Sequence, residues 1–135
     1  MGVGPNYVLD KGMKASGVAA YTAGRLVKQT ANPQEIGPTT VITDRVFGVV
    51  MENVDAARVA TGKVFLDIRV LGIARVEASA AIAVGARVMP EAAATSRAAT
   101  IAGATAVSFG IALTAAVNPG DFIDVLLTPG MPAGV

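Results

Sequence analysis

The chain contains no cysteine, no histidine and no tryptophan, and aromatic residues make up 4% of it. The first absence excludes disulfides, thiolate nucleophiles and Cys-built metal sites; the second excludes His-based triads and imidazole ligands. Freedom from cysteine also suits synthesis in a reducing cytoplasm. Few aromatics leave a core of small pieces, because the 53% apolar fraction is mostly Ala and Val. Firmness must then come from strand pairing and from neighbouring subunits. Charge of either sign is scarce: 11 basic residues face 10 acidic ones, for a net +1. No Lys/Arg cluster with interleaved aromatics exists, which excludes the usual nucleic-acid binder. The opening residues, Met1 to Tyr7, lack a basic stretch followed by an apolar block and do not read as a signal peptide. Ala98 to Val117 is uncharged over 20 residues, long enough on paper to cross a bilayer. It is rich in Ala, Gly, Thr and Ser and lies inside a repeat, so it reads as a buried strand pair, with no membrane role.

What the chain does have is a duplication. One unit opens at Gly24-Arg25-Leu26-Val27, reaches Phe47-Gly48-Val49-Val50, and closes at Gly62 before Lys63 to Ile68. A second opens at Gly85-Ala86-Arg87-Val88, reaches Phe109-Gly110-Ile111-Ala112, and closes at Gly120 before Asp121 to Leu126. The step from glycine to phenylalanine is 23 residues in the first and 24 in the second; the step from phenylalanine to glycine is 15 and then 11. None of the repeated positions is chemically reactive, which points to a protein that binds and holds. A glycine on a strand marks a bulge or a place where another backbone or ring crowds in. Gly48 and Gly110 are read in that way, with Phe47 and Phe109 as the paired large anchors of the core.

At 135 residues the chain amounts to about one domain, and such chains bury roughly two-thirds of their unfolded surface. Residues 1–17 read as an extended N-terminal arm, ordered only where something holds it. Residues 18–127 read as one β-rich domain of pseudo-repeats, about 18–77 and 78–127, and 128–135 as a tail. Val18 to Gln29 suggests strand–turn–strand, and Asn32-Pro33 and Gly37-Pro38 mark a loop over 30–40. Val41 to Thr43 and Arg45 to Met51 read as strands. Asn53 to Gly62 is an exposed turn. Over 63–70, Val64, Leu66, Ile68 and Val70 face one way and Lys63, Phe65, Asp67 and Arg69 the other, a half-buried strand. Ala-rich 78–83 and 92–104 could each hold a short helix. Val107 to Leu113 and Phe122 to Leu127 are strands. Short strands without crossover helices predict an all-β fold, a compact sandwich or barrel with at most short helices.

A search for chemistry returns little. Ala60-Thr61-Gly62-Lys63 lacks the first glycine and the Ser/Thr of a phosphate loop and reads as a hairpin turn. Glu52 and Asp55 share a turn but supply too few oxygens for a hard cation. Asp121 and Asp124 point to opposite faces of a strand and form no acid/base pair. Lys63, Asp67 and Arg69 form a charged row that blunts edge pairing or makes subunit contacts. No catalytic, metal or cofactor residue is assigned, and the chain is read as a non-enzyme.

The residues Asn6-Tyr7-Val8, Tyr21 to Val27, Phe47 to Val50, Gly62 to Ile73, Gly85 to Val88, Phe109 to Leu113 and Gly120 to Leu127 together resemble the phage head decoration proteins, also called capsid cement or stabilisation proteins. The likeness spans about residues 6–127 and rests on the order and spacing of glycines and apolar strands; the Ala-rich 92–104 and Pro-rich 128–135 depart from it. It implies a β-rich protein on the outer surface of the expanded head of a virion, made in the bacterial host. The partners implied are the major capsid protein and further copies of the chain, as a homotrimer at three-fold and quasi-three-fold positions. The N-terminal arm would reach onto the shell, which assigns capsid binding to Asn6, Tyr7, Val8 and Leu9. Deleting residues 1–14 is then expected to leave the β-core folded and weaken capsid binding. The alternative is a β-sandwich binding module for carbohydrate or a host surface, for which an exposed Phe65 is the feature to check.

Overall fold

The computed structural model describes residues 8–92, 95–103 and 105–132. Within them the fold is all-β. Ten strands run in chain order: β1 Leu9–Ala15, β2 Leu26–Gln29, β3 Glu35–Pro38, β4 Gly48–Val50, β5 Phe65–Leu71, β6 Ile73–Glu77, β7 Arg87–Pro90, β8 Ala98–Thr100, β9 Val107–Ala112 and β10 Phe122–Pro132. One helical turn, α1 at Ala56–Val59, sits between β4 and β5. It forms there because the Asp55 side chain accepts from the Arg58 amide at 2.8 Å, an N-cap that satisfies an otherwise orphaned donor. Among the described residues the Ala-rich stretches hold no helix: Ala98–Thr100 is a strand, and 78–83 holds isolated bridges from Ala78 to Ala98 and from Ile82 to Ala116. Strand pairing overrides alanine's intrinsic preference there.

The first five strands close into a barrel in the order β1-β3-β2-β4-β5; the second five form a sheet in the order β6-β10-β9-β7-β8. The second order, read backwards from β8, is the first order read from β3, strand for strand. The registers coincide as well. Val27 faces Pro38 and Gly48, and Val88 faces Thr100 and Gly110. Ala15 pairs in parallel with Ile36, and Ala78 with Ala98. Lys14 faces Phe65, and Glu77 faces Phe122. The duplication is therefore structural. Its last step differs from the spacing read above: Phe65 corresponds to Phe122, so Gly62 and Gly120 are one position out of step.

Several sequence expectations need correction. Leu9–Ala15 is not a free arm but barrel strand β1, held between β5 and β3, with Met13 and Ala15 buried. The chain changes sheet at Gly72, whose φ of +101° suits glycine. Ile73–Glu77, counted above with the first unit, thus pairs with β10 in the second sheet. Residues 41–43 are a turn, Tyr21 makes only an isolated bridge to Val54, and Glu35–Pro38 is a strand inside the expected loop. β10 runs to Pro132 through a register shift after Leu127, so it takes in part of the expected tail. Asn6, Tyr7 and residues 133–135 lie outside the described residues.

Two apolar clusters hold the molecule together. One fills the barrel with Met13, Ile36, Val50, Leu66 and Ile68, among others. The other fills the second sheet with Val76, Val88, Phe109, Ile123 and Val125, and takes in Leu26 and Val49 from the barrel's own strands and Val46 from just before β4. The period of two explains the sharing: Val27 points into the barrel and Leu26 into the common core, and Val50 and Val49 divide likewise. Leu26-Val27 of β2 and Val49-Val50 of β4 are thus buried to opposite sides, which is why each reads as an unbroken apolar pair. Burying one such Leu or Val contributes about 1.5–3 kcal/mol.

Candidate functional site

The site residues proposed from sequence fall into three places. Val8 and Leu9 are exposed at the start of β1, and Leu9 lies opposite the exposed Leu71. Together they make a small apolar edge at the point where the chain enters the barrel. Phe47, Gly48 and Phe109 line one small cavity with Leu127 near the joint between the two units, and Gly110 follows on β9, paired with Leu127 of β10. Phe109 is fully buried, whereas Phe47 is half-buried and packs on the barrel cluster. Lys63 and Asp67 are exposed on the barrel's outside. Arg69 is committed within the chain: it grips Asp10 through two bonds of 2.9 and 3.2 Å and donates to the Ile73 carbonyl at 3.1 Å. Such a two-point guanidinium–carboxylate pair is among the stronger polar contacts.

Beside Arg69 and Asp67 on β5 stands Phe65, 59% exposed. Its counterpart on β10, Phe122, is 49% exposed. The two rings differ in what they touch. Phe122 lies over Gly24, where an added Cβ would be 2.8 Å from its Cε1. Gly24 also has φ of +87°, so both the close ring and the backbone demand glycine.

The joint between the units has further bonds that sequence reasoning missed. Arg25 pairs with Glu77 and donates from Nη1 to the Thr95 carbonyl at 2.7 Å. The Glu77 amide donates to the Gly24 carbonyl at 3.0 Å, and the Leu26 amide to the Ser96 carbonyl at 2.8 Å. Ser96 is held at φ of +58° and its hydroxyl donates to the Thr39 carbonyl at 3.0 Å. In the barrel the equivalent groups bond each other: the Lys14 amide donates to the Gln34 carbonyl at 2.8 Å and closes the seam. In the second unit that seam is instead occupied by residues 24–26 of the first. Nothing in the local sequence signals this exchange, because both partners are backbone groups.

Two recesses open on the surface of the described residues. One of about 290 Å³ lies at the joint, walled by Ser16, Val18, Tyr21, Arg25 and Thr95. An open groove of about 580 Å³ runs past Lys28, Asp44 and Phe47. Among the described residues no group of three or more acidic, His or Cys side chains converges as a metal site. None of their helices is long and apolar enough to cross a membrane.

The titrating carboxylates do structural work. Burial tends to raise the Asp44 carboxyl, but bonds from the Thr40 amide (2.7 Å), Lys28 Nζ (2.9 Å) and the Val41 amide (3.1 Å) outweigh it and hold the group below its ordinary 3.8. Asp121 is lowered by the Asn118 and Val117 amides, each at 2.9 Å, and Asp10 by its bond to Arg69. A folded pKa below the unfolded one means that the unfolded chain takes up protons first. The stabilisation is therefore present above 3.8 and is lost as pH falls through the folded values. The thermal midpoint should stay level from neutral pH to about 4.5 and fall below that. Asp44→Asn should lower the neutral-pH midpoint and flatten the acid limb, as read by circular dichroism melts; an unchanged acid limb would mean that Asp44 is not a source of it.

No protein-family profile matches the chain, and no curated protein matches it. Among solved structures, the N base of the head fiber protein gp8.5 of bacteriophage phi29 superposes with a TM-score of 0.65 at 17% sequence identity. The match covers 90% of this chain and 95% of that one. At this identity the likeness establishes a shared fold across nearly the full length of both.

Proposed function

We propose that the chain is a structural decoration or cement protein of a phage head. It binds the major capsid protein on the outer surface of the expanded shell, as trimers at three-fold and quasi-three-fold positions, and strengthens the shell against internal DNA pressure. The observation that carries this reading is the full-length fold shared with a phage head fiber base. The balanced charge supports it.

The apolar edge of Val8, Leu9 and Leu71 would lead residues 1–7 onto the shell. Extended residues there can add a strand to a sheet edge, with backbone bonds giving affinity and alternate side chains giving specificity. A ligand that binds one state of the shell stabilises that state and no other. The test is co-sedimentation of the purified protein with expanded and unexpanded heads. Saturable binding to expanded heads alone is expected, with heads lacking the protein bursting at lower temperature. Failure to bind either form would overturn the reading.

The exposed Phe65 favours a second reading, a carbohydrate or host-surface module, because such modules display aromatic rings. In that case a Phe65→Ala variant would lose binding to immobilised host glycans or cell envelopes, and head binding would be absent.

A further inference from the structure

The two units do not embrace each other symmetrically. Were they related by a two-fold axis, Phe65 would lie on Gly85 just as Phe122 lies on Gly24. It does not: Phe65 is 59% exposed, and a Cβ at Gly85 would meet nothing within 4 Å. The contact inside the chain is head-to-tail. Each chain is therefore left with one unused head, the Phe65 face of the barrel, and one unused tail, the corner at Val84 and Gly85. Gly85 keeps the left-handed φ of +82° that matches +87° at Gly24, and the preceding Val84 is 65% exposed. A head-to-tail contact that is repeated between molecules either closes a ring or continues as a filament.

We propose that the Phe65 face of one copy seats the Val84–Gly85 corner of a second, repeating between chains the Phe122–Gly24 contact within each, and that three copies close a ring of six similar units. The count of three rests on the trimeric reading above; the contact itself rests on the duplication. The ion pair of the internal joint has no counterpart here, because Lys14 stands where Glu77 does and Ala86 where Arg25 does. The barrel seam beside Phe65 is also closed by its own Lys14–Gln34 bond. The contact between copies is thus mostly apolar and weaker than the joint, so the ring is reversible.

The chain has no cysteine of its own, so introduced thiols are the sole ones. Phe65→Cys combined with Val84→Cys, treated with a short bis-maleimide, should give interchain products that end at a trimer. The equivalent pair Ala23→Cys with Phe122→Cys should link within one chain. By sedimentation, the cysteine-free protein should associate reversibly, and Phe65→Asp, a change at an exposed position, should be monomeric with an unchanged melting temperature. A wild-type protein that stays monomeric at its highest soluble concentration overturns the proposal. So do Phe65→Asp association equal to wild type, or a ladder that stops at dimer or passes beyond trimer. No heads are used, so this contact and the capsid reading can fail separately.

Discussion

Replacing Gly48 or Gly110 by alanine is expected to cost about 3 kcal/mol each, at the upper end of the usual range for overpacking. The two glycines sit at the same register position of the two units. A methyl at Gly48 would be driven against the Arg69 carbonyl oxygen and to within 2.6 Å of Ile68 Cγ2. At Gly110 it would lie 2.5 Å from both the Leu126 carbonyl oxygen and Val125 Cγ1. Two of these obstacles are backbone atoms of paired strands, which cannot swing aside as a side-chain end can. Relief would require β4 to part from β5, or β9 from β10, and so break ladder bonds in the centre of each sheet. Domains of this size hold only about 5–15 kcal/mol in total, so the double variant should fail to fold. Gly12→Ala is the matched control: Gly12 also lies on a strand, but a Cβ there meets nothing within 4 Å. Its stability should stay within about 0.5 kcal/mol of wild type. Urea melts would decide it; near-neutral alanines at 48 and 110 would show that the strands can separate cheaply and that the crowding is not a constraint.

Deleting residues 1–15 should unfold the barrel, whereas deleting 1–8 should leave it intact. The reason is β1. It pairs with β5 from Leu9 opposite Leu71 to Lys14 opposite Phe65, and it closes the barrel against β3 through Lys14 and Ala15. Met13 and Ala15 are each 2% exposed, so the deletion empties part of the barrel core. Loss of one buried Met-sized side chain alone costs about 2–5 kcal/mol. The stripped edges of β5 and β3 add unpaired backbone groups and an aggregation hazard. This reverses the expectation from sequence that residues 1–14 can be removed without harm to the core. Amide-resolved NMR spectra of the two truncations would separate the cases. A folded barrel without 1–15 would mean that the β1 pairings contribute little. A folded chain without 1–8 that no longer decorates heads would support the capsid role given to Asn6, Tyr7 and Val8.

Sequence by itself determined the class of the molecule and its doubling. Alternation over 63–70 gave the half-buried strand correctly: Leu66 and Ile68 are buried, and Phe65 and Asp67 are exposed. The two Phe-Gly steps located the glycines that sit against a neighbouring strand's carbonyl, because steric need for a missing Cβ leaves a mark at one position. Patterns of this kind are local, and local chemistry enforces them.

The tertiary structure decided everything that depends on which groups find each other over distance. Leu9-Asp10-Lys11-Gly12 carries little apolar signal and becomes a strand because β5 supplies partners along it, with β3 joining only further on at Lys14 and Ala15. Whether the Lys14 amide bonds Gln34 or the equivalent Glu77 amide bonds Gly24 is a choice between backbone groups, which no side chain announces. Arg25, read as part of a repeated strand, is a link between units because the fold sets Glu77 and Thr95 around it. The strand register makes the two rings equivalent, yet one is seated on glycine and the other is exposed. That difference belongs to the packing of the units, which is set by the summed contacts of the shared core and not by any one residue.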